Sequence, residues 1–136
     1  HSRTELETRL AQGDRMVLFP EGTSHNGETV LPFKSSFFAA ATAPEIAIVP
    51  VTLVYKQNYG LPLTRRNRGT FAWYADMELI PHLWGALCAG PLTVEIMIHP
   101  ALDVETGLNR KRSAEMAERT IRRALASALH GRPILE

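Results

Sequence analysis

Between residues 19 and 38 the chain reads Phe19-Pro20-Glu21-Gly22-Thr23-Ser24-His25-Asn26-Gly27, then, after a short gap, Leu31-Pro32-Phe33-Lys34-Ser35-Ser36-Phe37-Phe38. Glu21 can accept hydrogen bonds from substrate hydroxyls. Gly22 lets a ligand approach the backbone closely. Thr23 and Ser24 add two hydroxyls, and Lys34, beside a helix start, is placed to meet an anionic group. His25 could donate to a ligand, but an exposed loop residue is the simpler reading. Glu-Gly-Thr alone is common in turns, so any chemistry rests on its neighbours.

These groups need elements to position them. Met16-Val17-Leu18-Phe19 is a compact apolar run broken by Pro20, which predicts a short buried strand. That strand would deliver Glu21 to the carboxyl edge of a sheet, where open α/β sheets bind ligands. Residues 20–32 are rich in turn formers and read as a loop. Thr4 to Gln12 reads as a short helix, with Thr4 and Glu7 at capping-box spacing and Gly13 as its stop. Ser35 to Ala43 is a second helix ended by Pro44. Ile46 to Tyr55 is a central strand, in which Pro50 suggests a bulge or a sheet edge.

Residues 56–69 read as a long exposed loop carrying Arg65, Arg66 and Arg68, either solvated or bound to phosphates. Thr70 to Ile80 reads as a strand, Pro81 to Ala89 as a short helix, and Leu92 to His99 as another strand. Asn109 to Leu129 is the strongest helix: Ala114, Ala117, Ile121, Ala124, Leu125 and Ala128 follow three- and four-residue steps, and Gly131 and Pro133 close it. Alternating strands and helices predict an α/β fold with a partial, mostly parallel mixed sheet and flanking helices.

Composition narrows the function classes. The chain has 136 residues, 45% of them hydrophobic and 21% charged, which is ordinary for one globular domain or part of one. No apolar stretch reaches the roughly 18 residues of a spanning helix. The net charge of +1 gives no reason to expect nucleic acid. Residues 110–136 nevertheless carry 7 Lys and Arg against 3 Asp and Glu. A solvated helix face explains this, and contact with an anionic membrane is the alternative. The single cysteine, Cys88, excludes an internal disulfide and reads as a buried small hydrophobe. His82 and His130 have no partners at metal spacing, so no metal is expected. His99 and Asp103 read as a strand-end and turn pair rather than a dyad.

Taken together, the motifs resemble the glycerolipid acyltransferase family, enzymes that acylate glycerol 3-phosphate, lysophosphatidate and similar lysolipids. Phe19, Pro20, Glu21, Gly22, Thr23, Pro32, Phe33 and Lys34 match its third motif, Phe-Pro-Glu-Gly-Thr-Arg-Ser followed after a glycine by Pro-Phe-Lys. Ile48-Val49-Pro50-Val51 matches the fourth at the right spacing, and the resemblance covers about residues 1–100. Two departures stand out. The motif arginine that helps hold the acceptor's phosphate is Ser24 here, and the glycine of Phe-Lys-x-Gly is Ser36.

The family's catalytic signature, His-x-x-x-x-Asp, is absent, since the residues five positions after the histidines are Leu6, Val30, Leu87, Val104 and Leu135. The chain starts at His1, not Met, and reads as the C-terminal portion of an acyltransferase domain over residues 1–136, with the histidine and aspartate upstream. The resemblance implies O-acyl transfer from acyl-CoA or acyl-ACP to a lysolipid hydroxyl, without a metal or redox cofactor, as in 1-acyl-sn-glycerol-3-phosphate acyltransferase. Glu21, Gly22, Thr23, Ser24 and Lys34 would bind the acceptor, and the 136-residue chain alone would be inactive. It also implies a peripheral or N-terminally anchored protein on the cytoplasmic face of the cell membrane. Two alternatives stay open. Phe71-Ala72-Trp73-Tyr74-Ala75-Asp76-Met77 and Pro81-His82-Leu83-Trp84 resemble a bacterial branch that includes lyso-ornithine lipid acyltransferases. A non-catalytic lipid-binding module is the other.

Overall fold

A computed structural model describes residues 3–41, 46–72, 77–102 and 109–130. Its longest element, helix α4 (Arg110–His130), begins where the Asn109 side chain accepts the backbone N–H groups of Lys111 and Arg112 at 3.1 and 3.0 Å. Asn is a strong helix N-cap for this reason. The three- and four-residue spacing of small and apolar residues buries Ser113, Ala114, Ala117, Ala124 and Leu125, while Arg110, Lys111, Arg112, Arg119, Arg122 and Arg123 are exposed. The basic face is therefore exposed, and the alanine stripe lets the helix lie close to its neighbours.

Those neighbours are a 3-10 helix over Ser35–Ala41 and strand β1 (Val51–Asn58). One core cluster joins Phe38, Leu102, Ala114 and Ala117; a second joins Val30, Val54 and Leu125. Phe33 packs against both, so the Pro32–Lys34 segment is wedged between helix and sheet. Full burial of a side chain such as Val54, 1% exposed, is worth about 1.5–3 kcal/mol.

The sheet corrects the expected strand direction. Its order is β2-β1-β3, with β2 at Leu61–Pro62 and β3 at Leu92–Ile98, and both pairings are antiparallel. The class remains α/β. Tyr59 and Gly60, with φ of 51° and 76°, make the two-residue turn between β1 and β2, a geometry that matches strand twist. The segment 56–69 is thus not one long loop: it holds the end of β1, this hairpin, β2 and the four-residue helix α2 (Arg65–Arg68). The irregularity expected at Pro50 falls instead between Tyr55 and Gln57, and β1 starts just after the proline.

Other boundaries also move. Helix α1 spans Arg3–Ala11, so Thr4 lies inside it rather than at its cap; Gly13, at φ 87°, follows its end. Met16–Phe19 and Ile46–Pro50 join no sheet, and Val17 and Phe19 are 83% and 73% exposed. The strand expected over Thr70–Ile80 is not formed: 70–71 is a turn, 73–76 lie outside the described residues, and Leu79 and Ile80 open helix α3 (Leu79–Cys88). Within the sheet, Thr52 and Val54 face α4, whereas Val51, Leu53, Ile96 and Ile98 on the other face are between 43% and 75% exposed.

Candidate functional site

The loop after Phe19 is closed by backbone bonds at both ends. Gly22 N–H donates to Phe19 O at 3.1 Å, and Lys34 N–H donates to Pro20 O at 2.9 Å. The second bond brings Lys34 back beside Glu21 and Gly22 although they are more than ten residues apart in sequence. The backbone conformation at Gly22 favours glycine, and the Lys34 side chain lies over it. The Gly22 φ of 66° is left-handed, and a Cβ at this position would stand 2.8 Å from the Lys34 ammonium.

Glu21 is half-buried and fixed inside the loop. Its Oε2 accepts Leu31 N–H at 2.8 Å and lies 2.7 Å from His25 Nε2. His25 Nδ1 in turn accepts Gly27 N–H at 3.1 Å, and Asn26 Oδ1 accepts Glu28 N–H at 3.2 Å. His25 is therefore a half-buried partner of Glu21 and not the exposed loop residue expected from sequence. Thr23, Ser24 and Lys34 are exposed on the same loop.

A second residue missed in the sequence is Glu118 on α4. Its Oε2 accepts Phe33 N–H at 3.0 Å, and its Oε1 accepts from Arg122 at 2.6 Å. The Phe33 bond holds the Glu118 carboxyl below the usual carboxylate range; desolvation opposes it and Arg122 adds to it. A residue far along the chain thereby pins the backbone next to Lys34. No sequence motif marks Glu118, whereas the Asn26-Gly27 turn was a usable hint that the loop curls back on Glu21.

Glu21 and His25 stand among the lining of an otherwise largely apolar cleft of about 330 Å³, bounded by α1 through Leu6 and Leu10, by Met16–Phe19, and by Phe37 and Ile48. That volume is within the range of small-ligand sites. The loop thus sets the Glu21 carboxylate on an apolar trough, while the Lys34 ammonium and the Thr23 and Ser24 hydroxyls stand on the same loop outside the lining.

Other candidates fall outside it. Arg68 is buried and donates to Tyr55 O at 3.0 Å and Leu63 O at 3.2 Å, a structural role; Arg66 is exposed. His99 Nε2 lies 2.9 Å from Thr52 Oγ1 and satisfies that buried hydroxyl, while Asp103 lies outside the described residues. Cys88 is exposed, not buried, because α3 buries no residue.

The loop that ties Glu-Gly-Thr to Pro-Phe-Lys carries the residues on which the motif resemblance rests, and known proteins share similarity over the same stretch. The acyltransferase family profile matches residues 1–54, and the chain belongs to this family. It is 40% identical to the lyso-ornithine lipid O-acyltransferase of Brucella abortus, over 100% of this chain and 54% of the relative. The enzyme of the same name from Rhizobium meliloti is 35% identical over 97% of this chain and 48% of its own. A 1-acyl-sn-glycerol-3-phosphate acyltransferase from Neisseria gonorrhoeae is 27% identical over 92% of this chain and 46% of its own. The chain spans about half the length of these curated relatives. No solved structure matches it.

Proposed function

We propose that the chain is the acceptor-binding portion of a lysolipid O-acyltransferase, with lyso-ornithine lipid the favoured acceptor. The observation that carries this is Lys34 folded back onto Gly22, beside Glu21, next to an apolar cleft. A lysolipid has the matching shape, a polar head on an apolar tail. In the reaction the acceptor hydroxyl oxygen attacks the carbonyl of an acyl thioester on coenzyme A or acyl carrier protein. The new ester forms, the carbon–sulfur bond breaks, the thiol leaves, and the hydroxyl proton passes to a general base. Glu21 holds the acceptor hydroxyls and Lys34 meets the anionic part of the head, so their contribution is proximity and orientation. The base is the histidine of a His-x-x-x-x-Asp pair that the family resemblance places N-terminal to this loop; the aspartate orients it.

Ser24 favours an acceptor other than a phosphate monoester. An arginine binds phosphate as a permanent bidentate cation, whereas a serine hydroxyl offers one neutral hydrogen bond worth about 1 kcal/mol net. The identities to the two lyso-ornithine lipid enzymes support the same choice. The test is competition between lyso-ornithine lipid and lysophosphatidate for the intact protein. Preference for the former, shifted toward the latter by Ser24→Arg, is expected. Preference for lysophosphatidate that Ser24→Arg leaves unchanged overturns the charge argument, and binding without any acyl transfer favours a lipid-binding module.

The acceptor's insolubility implies work at a membrane surface, and α3 supports that reading; the cytoplasmic face follows from the family resemblance alone. Residues 79–88 contain no Asp, Glu, Lys or Arg, and Leu79, Ile80, Leu83, Trp84 and Leu87 are between 53% and 80% exposed. Such an outward apolar stripe with a tryptophan suits the headgroup boundary of a bilayer. Among the described residues no helix is long and apolar enough to cross a membrane.

A further inference from the structure

The hydrogen bonds around His25 fix its proton. The Gly27 amide donates to Nδ1, so that nitrogen must present its lone pair. The proton of the neutral ring is then on Nε2, which stands 2.7 Å from Glu21 Oε2. Leu31 N–H, from the far side of the loop, donates to the same oxygen at 2.8 Å. One carboxylate oxygen thus takes two donors, and among the described residues Oε1 takes none.

We propose that His25 is a positioning residue for the acceptor: it pins Oε2 of Glu21 so that Oε1 is presented to the lysolipid hydroxyl. This rests on the functional reading above. Unheld, a glutamate side chain samples several rotamers, and few of them place an oxygen where the acceptor needs it. With Oε2 held by His25 and Leu31, rotation of the carboxylate is blocked from both ends of the loop. His25 does not touch the reacting atoms in this scheme; it acts only through Glu21. The Gly27 amide serves the arrangement by selecting the tautomer, as partners of one imidazole nitrogen generally decide the proton on the other.

The scheme separates His25→Gln, which keeps an N–H donor, from His25→Leu, which keeps bulk without one. In the intact protein His25→Leu is expected to lower kcat for acyl transfer roughly tenfold or more, with the KM for the thioester unchanged, while His25→Gln recovers most of the rate. In a Glu21→Ala background His25→Leu should cost nothing further, because the group it acts through is gone. Nitrogen-15 NMR of the His25 ring supplies a readout that does not use acyl transfer: an Nε2–H tautomer whose Nε2 signal moves in Glu21→Gln. An Nδ1–H tautomer, or a His25→Leu loss that persists in Glu21→Ala, overturns the proposal. Absence of acyl transfer in an unmutated protein that shows the coupled Nε2–H signal instead locates the failure in the functional reading.

Discussion

Replacing Glu118 by alanine tests whether α4 holds the loop that carries Lys34. The substitution removes the acceptor of Phe33 N–H at 3.0 Å and the pair with Arg122 at 2.6 Å. A hydrogen bond to a charged group contributes about 1.5–3 kcal/mol. The Glu118 side chain is 25% exposed, so solvent screening puts this bond at the lower end of that range. The Arg122 pair, at helix spacing and with Arg122 48% exposed, adds only about 0.3–0.5 kcal/mol. Urea denaturation of the intact protein at neutral pH should therefore show a loss of about 1.5–2 kcal/mol for Glu118→Ala. Glu118→Gln, which keeps a neutral acceptor, should lose about half as much. The pH dependence has a definite sign. The folded carboxyl titrates below its ordinary value of 4.5, so its contribution is complete above that value and is lost as pH falls through the lowered one. Acidification should narrow the gap between the unmutated protein and Glu118→Gln. Stability of Glu118→Ala within about 0.3 kcal/mol of the unmutated protein, or a gap that widens on acidification, refutes the reasoning.

Two further perturbations follow from the site and its surroundings. Gly22→Ala places a Cβ at φ 66° and 2.8 Å from Lys34 Nζ; a left-handed non-glycine residue costs about 1–2 kcal/mol, and the displaced lysine should weaken acceptor binding, read as a raised acceptor KM. Leu83→Glu on α3 should reduce sedimentation with anionic vesicles while leaving circular dichroism unchanged, since Leu83 is 53% exposed; vesicle binding equal to that of the unmutated protein removes α3 from the membrane surface.

Legibility in the sequence followed the number of residues that report on each feature. Helix α4 was readable within a residue at each end, because a whole stripe of alanine, isoleucine and leucine positions repeats at helical spacing and Asn109 can cap it. Strand β3 and helix α3 were likewise placed close to their observed bounds. Strand direction was not: the β1–β2 hairpin turns on Tyr59-Gly60, two positive φ values without the Asn-Gly or Asp-Gly signature that marks most such hairpins, and the antiparallel pairing of β1 with the distant β3 has no local signal. Leu79-Ile80 misled for a related reason. A short apolar run suits strand or helix equally, and Pro81 is tolerated in a first helical turn. In the candidate site, Glu21, Gly22 and Lys34 were singled out from their types and order, and the loop brings them together. Their partners were not, because His25 and Glu118 depend on how the loop closes and where α4 docks, and neither is encoded in local spacing.

The most direct measurement is acyl transfer by the intact protein and by Glu21→Ala, following both thiol release from acyl-CoA or acyl-ACP and formation of the diacylated lipid from lyso-ornithine lipid. The account predicts stoichiometric thiol and product from the unmutated protein. It predicts a rate lower by roughly two orders of magnitude or more for Glu21→Ala, with its fold retained by circular dichroism. An unmutated protein that transfers no acyl group to any lysolipid, or a folded Glu21→Ala that works at the unmutated rate, contradicts it.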